Sequence, residues 1–312
     1  METDILVAGE CLVDFMPDQP GSLDRVERFE RRAGGAPANV AVRLAELGPP
    51  PLFWTRLGDD PFGNSLERAL ERHGLPERFV RRDSEAKTTL AFVAHDEDAD
   101  RAFTFYREHT ADTRFETGVV PNDVLAELSW VAFGGVCLAT EPSRSALLDL
   151  AERASQQECT VLFDPNARPE LWDGDFPQLF REACTHAGVV TASPEDLAFA
   201  GIEGSPEELL AALLDLDAHT AVITLGEAGA LARASDAAPW GPARAKHDGF
   251  DVEVVDTTGA GDAFTAGLIR ALVDGEPLDD ALAFANAVGA VTATSRGAMS
   301  ASLDRDHVEG LI

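Results

Sequence analysis

Short apolar, β-rich runs alternate with helical patterns along almost the whole of this chain, and that alternation limits its fold more than any other feature. Strand-like runs lie at 4–9 (DILVAG), 51–58, 129–136, 160–164 (TVLFD), 188–192 and 220–226 (TAVITLG). Helix-like stretches at 37–47, 61–73, 142–157 and 205–216 fall between them, several opened by Pro, Ser or Asp. Two apolar helices, GAGDAFTAGLIRALVDG and LDDALAFANAVGAVTAT, complete the last third. The pattern predicts the α/β class: a mostly parallel central sheet with helices on both faces.

Two regions break the rhythm. Residues 11–33 hold a short strand-like run followed by a charged, turn-rich segment. Residues 87–107 read as a hairpin, with an apolar strand, an acidic turn and an aromatic strand. Neither has a helix to cover it, so the two are expected to pair as a small β-sheet lid, spanning about 11–33 and 87–110. Repeats and linkers are absent from the sequence, which predicts a single domain over 1–312 carrying that lid.

Charge narrows the partners. The chain has 55 acidic against 25 basic residues, a net of −30, so it repels phosphate backbones and nucleic-acid binding is not expected. No apolar run is long enough for a membrane span. The N-terminus, METDILVAGE, is acidic where a signal peptide is basic, which predicts a cytoplasmic protein. The acids are scattered rather than gathered in a tail, and Lys87 and Lys246 are the only lysines. That balance suggests a halophilic protein, adapted to salt that screens self-repulsion. The cysteines (Cys11, Cys137, Cys159, Cys184) are far apart and are expected to be buried, reduced thiols.

No Walker A pattern and no GxGxxG occur, so a P-loop or Rossmann nucleotide site is not supported. The stretch DTTGAGDAF (256–264) offers another way to hold phosphate. Gly259, Ala260 and Gly261 are small enough to turn backbone N–H groups toward an anion at a helix N-terminus. Asp262 follows in the first turn. Taken alone, an acid there need only complement the helix dipole, worth about 0.3–1 kcal/mol. The alternative is an anion hole with Asp262 taking a proton from an attacking hydroxyl, an arrangement suited to phosphoryl transfer. A second glycine-rich stretch, RRAGGAPANVAVRLAELG (31–48), also turns into an amphipathic helix. Gly34 and Gly35 permit close backbone approach and Asn39 sets an amide in the first turn. It serves equally as a plain loop-to-helix turn or as a polyol site.

Together, GGAPANVAVRLAELG and DTTGAGDAF resemble the two signatures of the ribokinase-like (PfkB) carbohydrate kinases. Between them GECLVDF (9–15), RLGDDPFGNSL (56–66), KTTLAFV (87–93), FTFYREHTAD (103–112), LFDPNARPELW (162–172), SPED (193–196) and ITLGEAGA (223–230) match in order. The resemblance spans essentially the whole chain, and GGAPAN, FYR…AD and DPN.R..LW are most similar to the fructokinases. It implies an ATP-dependent kinase that phosphorylates a sugar hydroxymethyl group, most simply fructose to fructose 6-phosphate. It further implies Asp262 as the catalytic base, with Gly259, Ala260 and Gly261 as the anion hole. Asp14, Gly34, Gly35 and Asn39 would bind sugar hydroxyls. Arg107, Asn166 and Arg168 would lie near the sugar or the transferred phosphate. Ser193, Thr224, Gly226, Gly229 and Asn286 would surround the nucleotide. Asp256 and Thr258 match ligands of the monovalent cation (potassium) that many members bind.

One departure concerns magnesium. The family often shows N-x-x-E near the metal, where this chain reads Ser193-Pro194-Glu195-Asp196, so either Glu195 or Asp196 would orient the water ligands of Mg2+. Two other activities remain compatible with the same residues. A 2-keto-3-deoxygluconate kinase would use Arg107 or Arg168 for the substrate carboxylate. A non-catalytic sugar-binding regulator would not need Asp262 as a base. The exposed face of the lid hairpin is compatible with a homodimer.

Overall fold

Nine strands form one sheet because most of them are apolar on both sides. A computed structural model describes residues 3–19, 21–95, 101–299, 303 and 305–312, with the backbone alone at 94, 95, 101 and 102. The order of elements is β1 (Ile5–Ala8), β2 (Leu12–Pro17), β3 (Phe29–Gly34), α1 (Ala36–Leu47), β4 (Leu52–Gly58), α2 (Pro61–Arg72), β5 (Val80–Asp83), β6 (Leu90–His95) and β7 (Arg101–Tyr106). Then come α3 (Asn122–Leu125), β8 (Trp130–Gly134), α4 (Ser143–Gln156), β9 (Thr160–Asp164), α5 (Phe176–Cys184), β10 (Val189–Ala192), α6 (Pro194–Phe199) and α7 (Pro206–Leu214). The chain ends with β11 (Thr220–Thr224), β12 (Ala230–Ala234), β13 (Ala243–His247), α8 (Ala260–Val273), α9 (Leu278–Ala293) and α10 (Arg305–Glu309).

The central sheet runs β13-β12-β11-β10-β9-β8-β1-β4-β5, parallel from β11 to β5, with β12 antiparallel to both its neighbours. Alternate residues of one strand enter different cores. Ile5 and Val7 join α1, α8 and α9 on one face; Leu6 and Ala8 join α4, α5 and α7 on the other. Such double burial explains why these strands read as continuous apolar runs rather than as alternating ones. The α/β class and the mostly parallel sheet follow the sequence expectation. Two strands at one edge, β12 and β13, and β5 at the other were not anticipated. VRRD and ARAKH carry charge on a solvent-facing side, so neither has the apolar signature of a central strand.

The second sheet is built from the two segments without covering helices, in the order β3-β2-β6-β7. It is mixed: β2 pairs antiparallel with β3 and parallel with β6, and β6 pairs antiparallel with β7. The expected acidic turn at 96–100 lies outside the described residues. Phe15 stacks on Phe92 at 4.7 Å between centroids, with Phe29 edge-on at 5.4 Å from Phe92. Those rings fill the side of the sheet away from Asp14, since strand side chains alternate. All four cysteines are buried and form no disulfide. No described helix is long and apolar enough to cross a membrane.

Candidate active site

Parallel strands bring their C-terminal ends to one edge of the sheet, where open α/β sheets bind ligands. Glu10 after β1, Val136 after β8, Asp164 at the end of β9, Ser193 after β10 and Thr224 at the end of β11 all face one cleft there, of about 410 Å³. The second sheet roofs it with Leu12, Asp14, Phe103 and Phe105. Gly259, Gly261 and Asp262 form its floor at the start of α8.

Asp262 is held from two sides. Asn39, in the first turn of α1, donates from Nδ2 to Oδ2 at 2.7 Å; Asn166 donates from Nδ2 to Oδ1 at 3.2 Å. Asn166 reaches it because its backbone is left-handed, φ 36°, a region that asparagine tolerates better than most residues. Burial raises the Asp262 carboxyl to about 6, against the opposing pull of the Asn39 hydrogen bond and Arg168. Gly259 caps α8 with φ 78°, and a Cβ there would stand 2.9 Å from the Ala298 Cα. Gly261 is different: beyond its chain neighbours and its own helix backbone, nothing lies within 4 Å of where its Cβ would be. Ala260 does not line the cleft, because its N–H turns back to the Thr257 carbonyl at 3.2 Å.

Of the glycine pair before α1, Gly35 lines the cleft and is a steric requirement, whereas Gly34 lies outside the lining. A Cβ on Gly34 would collide with the Asp14 carboxylate, and one on Gly35, at φ 103°, would stand 2.5 Å from the Glu10 carbonyl. Burial lifts Asp14 to about 7, with Arg168 pulling down and Asp262 pushing up. Asp164 rises to about 8 for the same reason, with Asp196 and Asp262 adding to the push. It accepts from Thr265 Oγ1 at 2.9 Å, which ties the end of β9 to α8.

The family of the chain follows from its similarity to known proteins. The model of the pfkB family of carbohydrate kinases matches residues 2–305. The chain belongs to the pfkB family of carbohydrate kinases. Within that family it is 35% identical over 302 residues to Fructokinase-1 of Oryza sativa subsp. japonica, covering 93% of this chain and 92% of the relative. The crystal structure of a fructokinase with bound ATP from Xylella fastidiosa superposes with a TM-score of 0.85 at 29% identity, covering 100% of this chain and 98% of that one. A double-mutant fructokinase from Vibrio cholerae O395, in a form with fructose, ADP and potassium ion bound, gives 0.84 at 29% identity, covering 99% and 98%. This pfkB-family enzyme is a sugar phosphotransferase.

Not every residue singled out by the pfkB signatures reaches the cleft. Arg107 does not: its Nε donates to Asp112 Oδ2 at 2.6 Å, in a buried cluster with Thr89 and Thr110 at the base of the second sheet. Asn286 is buried on α9 with Nδ2 turned to the Leu282 carbonyl at 2.8 Å, so its amide serves its own helix. Gly226 and Gly229 bracket a short helical turn after β11 outside the cleft lining, and Gly229 is packed against the His247 carbonyl of β13. Asp256 lies below the floor, engaged by Thr258, Gly297 and Arg32. Asp196 does line the cleft, but it is committed to a capping box with Ser193 and accepts from Ala167 N at 2.7 Å. Glu195 instead is exposed at the cleft and makes no hydrogen bond or ion pair among the described residues.

Glu10, Asp164, Phe103 and Phe105 are among the lining residues missed from sequence. Glu10 sits inside GECLVDF and Asp164 inside DPN, yet neither differs in type from dozens of other acids. Phe103 and Phe105 carried a usable signal, since period-two spacing in FTFY puts both rings on one face. They stack at 5.8 Å, and the Arg168 guanidinium lies 5.1 Å from the Phe103 ring centroid.

Proposed function

We propose that this enzyme transfers the γ-phosphoryl group of ATP to the 6-hydroxyl of D-fructose, with Asp262 as the base that accepts the hydroxyl proton. The grip of Asn39 and Asn166 on both oxygens of Asp262, at the mouth of α8, carries the reading. A carboxylate needed only as a dipole partner requires no such aim. A carboxyl near 6 is deprotonated at neutral pH yet basic enough to share a proton in the transition state. The N–H groups of Gly259 and Gly261 and the α8 dipole meet charge on the transferred group, and most of the rate comes from positioning. Asp14 would accept hydrogen bonds from sugar hydroxyls, and Arg168 would face the transferred phosphate.

The second sheet acts as a lid, because Asp14, Phe103 and Phe105 close over the same cleft from strands that lack any other cover. Magnesium fits as an ion that arrives with the nucleotide and keeps most of its waters. Glu195 would hold those waters, since both oxygens of Asp196 are taken by backbone and side-chain donors. When bound, the ion neutralises phosphate charge. Thr224 and Ser193 mark the nucleotide end of the cleft. The burial of Arg107 leaves Arg168 as the only arginine lining the cleft among the described residues, which weakens the case for a keto-deoxy sugar acid. A scattered excess of acid supports a protein suited to a salty cytoplasm.

The test is a coupled assay over fructose, 2-keto-3-deoxygluconate, ribose and adenosine. Fructose should give the highest kcat/KM, and Asp262→Asn should lower kcat by at least about 10²-fold with little change in KM. Near-normal kcat in that variant would remove Asp262 as the base; turnover of none of the sugars would favour a binding protein.

A further inference from the structure

The potassium site implied by the family signature does not fit this chain, because its carboxylate ligand is already filled. Asp256 Oδ1 accepts from Thr258 N at 3.0 Å and Thr258 Oγ1 at 2.6 Å. Its Oδ2 accepts from Gly297 N at 3.0 Å and Arg32 Nη1 at 3.2 Å. A carboxylate has about four lone-pair sites, so these four donors saturate it. The arginine comes from β3, 224 residues away in sequence, and is aimed by its setting. It lies opposite Asp14 in the β2–β3 register, and Glu30 holds its other terminal nitrogen at 2.7 Å. Both partners are nearly buried, with side chains 13% and 11% exposed. In the loop that supplies Gly297, the Ala298 carbonyl accepts from Arg43 of α1 at 2.6 Å. A second guanidinium thus occupies a carbonyl of the same loop.

We propose that the Arg32 guanidinium supplies, from the lid sheet, the positive charge that a monovalent cation would bring to Asp256, so that catalysis needs no potassium. The proposal rests on the sugar-kinase reading of the anion hole. A guanidinium is permanently charged and tethered, so it is present at any salt composition. A potassium ion would have to displace it or sit beside it against like-charge repulsion. Arg32 is therefore a positioning residue: it acts on the 256–261 loop through Asp256 and also links that loop to the strand facing Asp14.

The experiment compares potassium chloride with tetramethylammonium chloride at equal ionic strength, about 0.2 M, so that screening is the same in both. Wild-type kcat should agree within about threefold, and melting temperatures should coincide, since a cation bound only to the folded state raises them. Arg32→Gln should be about tenfold slower in tetramethylammonium, with sugar KM less affected, and should be restored by potassium. Potassium activation of the wild type beyond threefold, a saturable potassium-specific rise in its melting temperature, or full activity of Arg32→Gln without potassium would overturn the proposal. If Arg32→Gln does not fold, the wild-type comparison decides. The melting comparison needs no turnover, so it separates failure of this inference from failure of the kinase reading.

Discussion

At the scale of single residues, the cleft concentrates carboxylates with raised proton affinity around one that is aimed. Asp14, Asp164 and Asp262 lie at about 7, 8 and 6, each pushed up chiefly by desolvation. Asp262 differs in receiving two amide donors that fix both of its oxygens. As the proposed base it must be ionised, so kcat/KM should rise with pH through a limb that begins near 6. Asp14, proposed to bind sugar hydroxyls, extends that limb to about 7, because it accepts fewer hydrogen bonds when protonated. A pH–rate profile of the free enzyme checks this. A rate already at its plateau by about pH 5 would contradict the raised value. The signature motifs made Asp262 legible as a candidate, but its aim was not, since Asn39 and Asn166 lie 223 and 96 residues away in sequence.

At the scale of elements, the start of α8 separates two uses of glycine that look alike in GAG. Gly259 is required by the fold: its φ is 78° and Ala298 occupies the space its Cβ would need. Gly261 meets nothing, so the protein itself does not demand its smallness. Gly259→Ala should therefore lower the melting temperature by several degrees, through backbone strain and the clash. Gly261→Ala should leave melting unchanged or raise it, because alanine favours the helix, yet reduce kcat/KM for ATP about tenfold or more by crowding the anion hole. Paired melting and kinetic measurements distinguish them; loss of stability in both variants would mean that Gly261 is structural. At α6 all three polar residues line the cleft, but Asp196 and Ser193 are bound up in the helix cap while Glu195 is not.

At the scale of the whole molecule, charge sets how stability varies with pH and salt. A carboxyl whose folded value lies above its ordinary value near 3.8 favours the folded state when protonated. That contribution is complete below 3.8 and is lost as pH rises through about 6 to 8. Asp60 and Asp83 act in the opposite sense: backbone hydrogen bonds lower both, with Arg56 and Arg114 assisting at Asp83, and their contribution is lost only as pH falls below the ordinary carboxylate range. The ligand-free enzyme should thus melt higher at about pH 5.5 than at about pH 8. With a net charge of −30, it should also melt higher in about 3 M than in about 0.1 M KCl, as screening relieves repulsion. Thermal melts over both variables check this, and a melting temperature that rises toward pH 8 at constant salt would contradict the raised carboxyls.

The sequence by itself determined the layered α/β architecture, the extra sheet and the glycine-rich stretch proposed to be catalytic. Apolar runs buried on two faces, uncovered hairpins and glycines before helices are local patterns that the chain states in order. Only the tertiary structure decided which of the marked residues meet. Arg107, Asn286 and Asp256 carry the right chemistry, but packing and ion pairs turn them to Asp112, to their own helix and to Arg32. Glu10 and Asp164 enter the cleft because distant strands end at one edge of the central sheet, and the Phe103–Phe105 pair because the second sheet covers that edge. Side-chain direction and charge pairing depend on neighbours far along the chain, and such neighbours exist only once the sheet has formed.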